Sequence, residues 1–258
     1  LHHLGAIAPG YQADFVVLDN LSDMNVLEVY HRGKKIIKDE KVEIRPCDPQ
    51  LKNTVHLLGF RESDLCLPWR EGKVHILKML EGQIVTEDVQ EEVGYTEEKG
   101  RKVFKPDGTY QKIAAVERHK NTGKIGVGIV KGFGLRGGAI ASSVSHDSHN
   151  LIVIGDNDHD MYLAVQELLR TQGGYTLVEN GQVFDTLPLP IMGLMSDAGY
   201  EKVNEKLARM IPKAHEMGIP EGFDPFITLS FMALPVIPEI RITPRGVYLT
   251  QEDRMIQS

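Results

Sequence analysis

The stretch GFGLRGGAIASSVSHDSHN, residues 132–150, decides how this chain folds. It opens with Gly132, Gly134 and Gly137 in the G-x-G-x-x-G spacing of a dinucleotide-binding loop. Such a loop needs a strand before it, a helix whose N-terminus faces the pyrophosphate, a second strand and then an acid. IGVGIV (125–130) supplies the first strand, LIVIG (151–155) the second and Asp156 the acid. The helix is the part that fails. Between Gly138 and Leu151 lies AIASSVSHDSHN, rich in serine, β-branched residues and Asx, which favour strands and loops over a helix interior. Only Ile140 and Val144 offer an apolar stripe. The stretch therefore reads as strand, loop, strand. In that reading Gly132, Gly134, Gly137 and Gly138 permit positive φ or a close approach of neighbouring backbone.

Working outward, Asp158 or Asp160 is expected to cap a helix through MYLAVQELLR (161–170). Leu163, Val165, Leu168 and Leu169 supply its apolar positions and Gly173-Gly174 ends it. Asn180-Gly181 is the strongest short hairpin signal in the chain. A long helix is expected over 196–217, capped by Ser196 or Asp197, stopped by Gly218, with Val203, Leu207, Met210 and Ile211 as its stripe. The apolar, proline-containing run 226–250 reads as further strands. On the other side, turns at Asp107-Gly108 and 121–124 bracket QKIAAVER (111–118), which argues for an antiparallel meander. Residues 88–102 are strongly charged and read as an exposed segment, and Glu81-Gly82 as the turn of a hairpin.

Pro46 and Pro49 mark a boundary at about residue 50, giving segments 1–50 and 51–258. The first segment is β-rich. Residues 5–8 and Phe15–Leu18 read as strands about the Pro9-Gly10 turn, and 26–30 with 35–37 as a hairpin about Gly33. It is too short for a comfortable core of its own. The expected class is α+β, with mixed, largely antiparallel β-sheets and a few packed helices.

Composition narrows the function. Apolar residues make up 41 % and charged residues 25 % of 258, ordinary for a globular chain. A formal charge of −7 offers no overall attraction to nucleic acid. The two cysteines, Cys47 and Cys66, suit a reduced compartment such as the cytoplasm better than a disulfide framework. No apolar run reaches the length of a membrane-spanning helix. The chain opens LHHLGAIAPG, without an initiator Met, and is expected to be a fragment.

Two clusters carry candidate chemistry. Asp156, Asp158 and Asp160 with Glu167 mimic the spacing of an EF-hand, but Met161 stands where the loop needs glycine. A helix N-terminus explains these aspartates more simply, through its free amides and dipole. The second cluster is His146-Asp147-Ser148-His149-Asn150. Groups that titrate near neutrality, on a loop at a strand end, suit general acid/base work or metal ligation. The bland alternative is an Asx/Ser turn bonded to its own backbone.

GFGLRGGAIASSVSHDSHNLIVIG, with VENGQV and LPLPIMGLMSD further on, resembles the C-terminal region of bacterial-type adenine deaminases of the amidohydrolase superfamily. GAIAPGYQADFVVL and VYHRGKKI resemble the closing strands of the β-sandwich that accompanies amidohydrolase barrels, so 1–50 is expected to be a partial sandwich and 51–258 the C-terminal domain. The resemblance implies hydrolysis of adenine to hypoxanthine and ammonia, in purine salvage, with manganese or iron in a (β/α)₈ barrel. In that chemistry a bound metal supplies hydroxide to an electrophilic carbon. No barrel and no His-x-His motif is present here, and His2-His3 is adjacent rather than spaced. The metal is therefore expected in a missing barrel and not in this chain, which alone is expected to be inactive. The expected partners are adenine, that barrel and further copies of the chain, with no nucleic acid and no membrane. On this resemblance His146, Asp147 and His149 are the candidate catalytic residues and Ser148 and Asn150 the substrate contacts. The competing readings are a non-catalytic accessory or oligomerisation domain, and a self-contained metal-binding module.

Overall fold

The computed structural model describes residues 2–36 and 46–256. The chain divides into two compact units, Leu1–Pro46 and Cys47–Ser258. In the first, β1 (Phe15–Leu18), β2 (Val26–His31) and β3 (Lys34–Ile36) form a three-stranded antiparallel sheet. Ile37, expected in the last strand, lies outside the described residues. Residues 5–8, expected to be a strand, are bends and irregular chain. Val16, Val26 and Leu27 of this sheet remain more than half exposed, at 52 %, 58 % and 63 %. So short a segment has too few side chains to bury its own strands.

The second unit is built on one eight-stranded sheet. Its strands are β4 (Val74–Met79), β5 (Thr86–Glu91), β8 (Tyr110–Val116), β9 (Ile125–Lys131), β10 (Gly138–Ser142), β11 (Leu151–Gly155), β12 (Gly174–Glu179) and β13 (Gln182–Pro188). The intervening β6 (Tyr95–Glu98) and β7 (Arg101–Phe104) form a separate hairpin. The large sheet runs β13-β12-β10-β11-β8-β9-β4-β5. Only the β4/β9 pair is parallel, so the sheet is mixed and largely antiparallel. Among the described residues three α-helices accompany it: α1 (Asp158–Thr171), α2 (Tyr200–Glu216) and α3 (Pro225–Phe231). A last sheet joins β14 (Ile240–Thr243), β15 (Gly246–Leu249) and β16 (Arg254–Ile256). No helix of the described residues is long and apolar enough to cross a membrane.

The central strands read as unbroken apolar runs because both faces of the sheet are covered. Register places Ile113 opposite Ile154, Ile154 opposite Ile140 and Ile140 opposite Leu177. That row packs against Met210 and Ala214 of α2, Phe226 and Leu229 of α3, and Ile240 and Ile242 of β14. The alternate residues, including Ala114, Val116, Leu151 and Val153, meet Met161, Ala164, Val165 and Leu168 of α1, with Val55, Phe60 and Leu65 of the segment before β4.

Several local expectations change. The cap of α1 is Asn157, whose side chain accepts from the Asp160 amide at 2.8 Å, and the buried stripe is Met161, Ala164, Val165 and Leu168. Helix α2 starts at Tyr200, because Ser196 and Asp197 are engaged elsewhere: Asp197 pairs with Lys52 and Ser196 accepts from the Ala198 amide. The run after residue 225 begins with a helix, not a strand. Asp224 accepts from the Phe226 and Ile227 amides and Pro225 occupies the first turn, a start signal the strand reading passed over. Residues 88–102 are not a uniformly exposed segment. They include the end of β5, all of β6 and part of β7, with Val93 buried.

The glycine loop connects β9 to β10, two strands of one sheet that have β11 and β8 between them. Strands β9 and β11 are separated by β8, so the strand–helix–strand crossover of a dinucleotide fold is absent here. The Asp156 carboxylate accepts from the Gly137 amide at 2.5 Å and the Gly138 amide at 3.0 Å. The amides that would cradle a phosphate thus hold a carboxylate of the same chain. A Cβ on Gly138 would run into the backbone carbonyl of Val178 on the neighbouring strand, so this position needs glycine for packing. Asp156→Ala leaves two amides without acceptors and is expected to cost about 1–3 kcal/mol, read as a lower urea midpoint; Asp156→Asn keeps one acceptor and loses less.

Candidate functional site

The histidine loop joins β10 to β11 and is anchored before it reaches solvent. Ser143 Oγ donates to the Gly193 carbonyl at 2.6 Å and accepts from the Gly174 amide at 2.7 Å. The His146 amide donates to the Ser230 carbonyl at the end of α3, at 3.0 Å. The His146 ring sits 4.9 Å from the Phe231 ring and 5.6 Å from that of His149, the two imidazoles meeting edge to face. The loop thus brings His146 and His149 together. Asp147 and Ser148 lie exposed at its tip.

Asn150 faces the other way. It is 8 % exposed, its Oδ1 accepts from the Arg118 amide at 3.3 Å and its Nδ2 donates to Ser148 Oγ at 3.2 Å. His119 Nε2 donates to the Ser148 carbonyl at 2.7 Å. The tip is therefore braced from the β8–β9 connection.

Arg118, just beyond β8, was not among the residues singled out from the sequence. It is 1 % exposed, and its guanidinium donates from Nε to the His149 carbonyl at 2.5 Å. Nη1 reaches Thr54 O at 2.9 Å and Thr54 Oγ1 at 3.2 Å, and Nη2 reaches Met192 O at 2.9 Å. Burial draws its pKa down to about 10, which leaves it charged at neutral pH. No carboxylate is among these acceptors. In sequence Arg118 ends an apolar strand and looks like an ordinary surface cation, since its acceptors come from distant segments.

These surroundings act on His149. Burial, then the neighbouring charges of His146 and Arg118, hold its pKa below the ordinary value; Asp147 opposes them, and His119 adds a smaller push in the same direction as Arg118. His149 Nδ1 is buried with no hydrogen-bond partner among the described residues, as is Ser145 Oγ.

The acidic cluster behaves differently. Asp158 is paired with Lys112. Asp160 accepts from the Gly181 amide and from Asn157 Nδ2, each at 2.8 Å. Glu167 accepts from Arg170 and from Thr186 Oγ1. With Asp156 on the glycine amides, each acid has a donor within the chain. Among the described residues no three His, Cys, Asp or Glu side chains converge as metal ligands would.

Fold and site together define an α+β domain with a covered mixed sheet, carrying a paired-histidine loop in front of a buried guanidinium. Residues 83–254 match the model of the adenine deaminase C-terminal domain, and the chain belongs to that family. It is 51 % identical over 257 residues to an adenine deaminase of Desulfitobacterium hafniense, covering 100 % of this chain and 44 % of that protein. It is 42 % identical to adenine deaminases of Nitratidesulfovibrio vulgaris (strain DP4) and Clostridium acetobutylicum, covering 96 % of this chain and 43 % and 44 % of those proteins. The chain thus spans less than half the length of these relatives.

The depressed pKa of His149 has a signed consequence for stability. Above its unfolded value of 6.5 the imidazole is neutral in both states. As pH falls through that value the unfolded chain takes the proton first, so folding is weakened until the folded pKa is passed. Urea midpoints measured between about pH 8 and about pH 5 are expected to fall less steeply in His149→Asn than in the wild type. Equal slopes would remove this assignment.

Proposed function

We propose that this chain is the C-terminal portion of an enzyme that hydrolyses adenine to hypoxanthine and ammonia, in cytoplasmic purine salvage. The observation that carries the reading is the coverage: relatives named adenine deaminase align over all or nearly all of it. The first unit is read as closing strands of an amidohydrolase β-sandwich. Its exposed Val16, Val26 and Leu27 support a sheet meant to be covered by more protein. The same proposal assigns the manganese or iron of this chemistry to a barrel outside this chain, and the chain alone is expected to be inactive. Homo-oligomeric assembly of the intact enzyme is part of the same proposal.

Within that enzyme the loop reaches the barrel mouth. Replacing the 6-amino group requires a proton on the purine ring nitrogen and another on the departing amine. A neutral imidazole at His149, with His146 edge-on beside it, is suited to accept and return such a proton. Of the residues exposed at the tip, Asp147 is assigned to proton transfer with the histidines and Ser148 to the polar edge of a purine. Asn150 contributes through Ser148, whose hydroxyl it holds.

In the full-length enzyme, His146→Ala and His149→Ala are expected to lower kcat/KM for adenine by about 10²–10⁴-fold, the usual contribution of a general acid or base. Steady-state ammonia release measures this. Unchanged kinetics in both variants would leave the domain a non-catalytic accessory.

A further inference from the structure

We propose that Arg118 is the positioning residue of the histidine loop: its buried guanidinium clamps the His149 carbonyl and so fixes where the His149 imidazole points. The clamp stands on geometry, whereas its effect on turnover rests on the catalytic reading of the loop.

The guanidinium joins three segments distant in sequence, at Thr54, His149 and Met192. Each is secured separately. The Thr54 and Val55 amides donate to Gln172 Oε1 at 3.0 and 3.1 Å, Gly193 accepts from Ser143, and Ser148 accepts from His119. Gly193, at φ +72°, lets the chain pass directly against the fork; a Cβ there would lie 2.9 Å from both Nη1 and Nη2. The fork is thus enclosed on fixed acceptors, the setting in which a charged planar donor defines geometry best.

His149 needs such a hold. Its backbone is left-handed, with φ +49°, a conformation uncommon for a side chain of this size. Its amide donates to the Ser145 carbonyl at 2.5 Å and its carbonyl accepts from Arg118, so the residue is tied on both sides. Relaxing either tie would swing the ring away from His146. Arg118 also places a fixed positive charge near the imidazole. The other ionisable neighbours are His146 and Asp147 on the loop and His119 on the β8–β9 connection; α3 presents Ser230 and Phe231, which are uncharged. Lysine would keep the charge but lacks the planar fork that spans three carbonyls.

Three measurements separate the possibilities. In the wild-type chain the Arg118 Nε proton is expected to exchange with solvent far more slowly than that of an exposed arginine, followed by NMR; exchange at the exposed rate would overturn the clamp. In Arg118→Met, loss of the charge is expected to raise the His149 titration midpoint, and an unmoved midpoint would count against the proposal. In the full-length enzyme, Arg118→Lys is expected to lower kcat by about 10²-fold, the scale of a small misplacement of a reacting group. It is also expected to keep the wild-type acid limb of the pH profile, whereas Arg118→Met shifts that limb to higher pH. Wild-type kcat in Arg118→Lys, together with impaired His149→Ala, would overturn the positioning role. Silent His149→Ala would instead refute the catalytic reading while the exchange and titration measurements still decide the clamp.

Discussion

Everything in the larger unit depends on burying β10 and β11 on both faces. These two strands carry no charged side chain, and the row Ile113–Ile154–Ile140–Leu177 locks their register to β8 and β12. A slip of one residue would send every side chain to the opposite face, away from the helix shaped to receive it. The hairpin between them is consequently held at both ends, and the histidine loop is the part of it that emerges. A rigid support under an exposed loop is the usual arrangement by which a fold presents reactive groups.

Two arginines are buried without a carboxylate among their acceptors, and both join segments distant in sequence. Arg118 ties the histidine loop to the segments at Thr54 and Met192. Arg241 donates to carbonyls of Ile84, Ile237, Pro238 and Ile240 and to Thr86 Oγ1, securing β14 beside the start of β5. A buried cation is costly unless its donors are met. Here carbonyl dipoles meet them, and burial lowers both pKa values to about 10 without discharging either group at neutral pH. Of the two, Arg118 sets its charge behind His149 and, with burial, favours the neutral imidazole there.

The glycines and aspartates that look most like a ligand site are occupied by one another. Gly137 and Gly138 offer amides in the geometry of an anion site, and Asp156 fills it from the same chain. Asp160 bonds the Gly181 amide and so ties the start of α1 to the β12–β13 turn. Spacing alone made both motifs visible. The occupant of each was not legible, because donors and acceptors come from separate strand ends. The cap of α1 shows the same limit on a smaller scale: Asn157, Asp158 and Asp160 are all credible caps, and only the turn geometry selects Asn157.

The strand β10 inside residues 132–150 came from the structure, whereas the sequence by itself determined the α+β class, the lack of a nucleotide-binding helix in that stretch and the Asn180-Gly181 hairpin. These follow from local chemistry: β-branched runs, Asx and glycine turns, and the lack of an apolar helical stripe after Gly137. It also marked the His146–Asn150 loop as the place where titratable groups gather. Only the tertiary structure decided that His146 and His149 meet while Asn150 turns inward, and that Arg118 stands behind them. Those facts rest on contacts between residues up to 74 positions apart, from Arg118 to Met192. No local pattern encodes such a contact, because it exists only once the sheet has set its neighbours side by side.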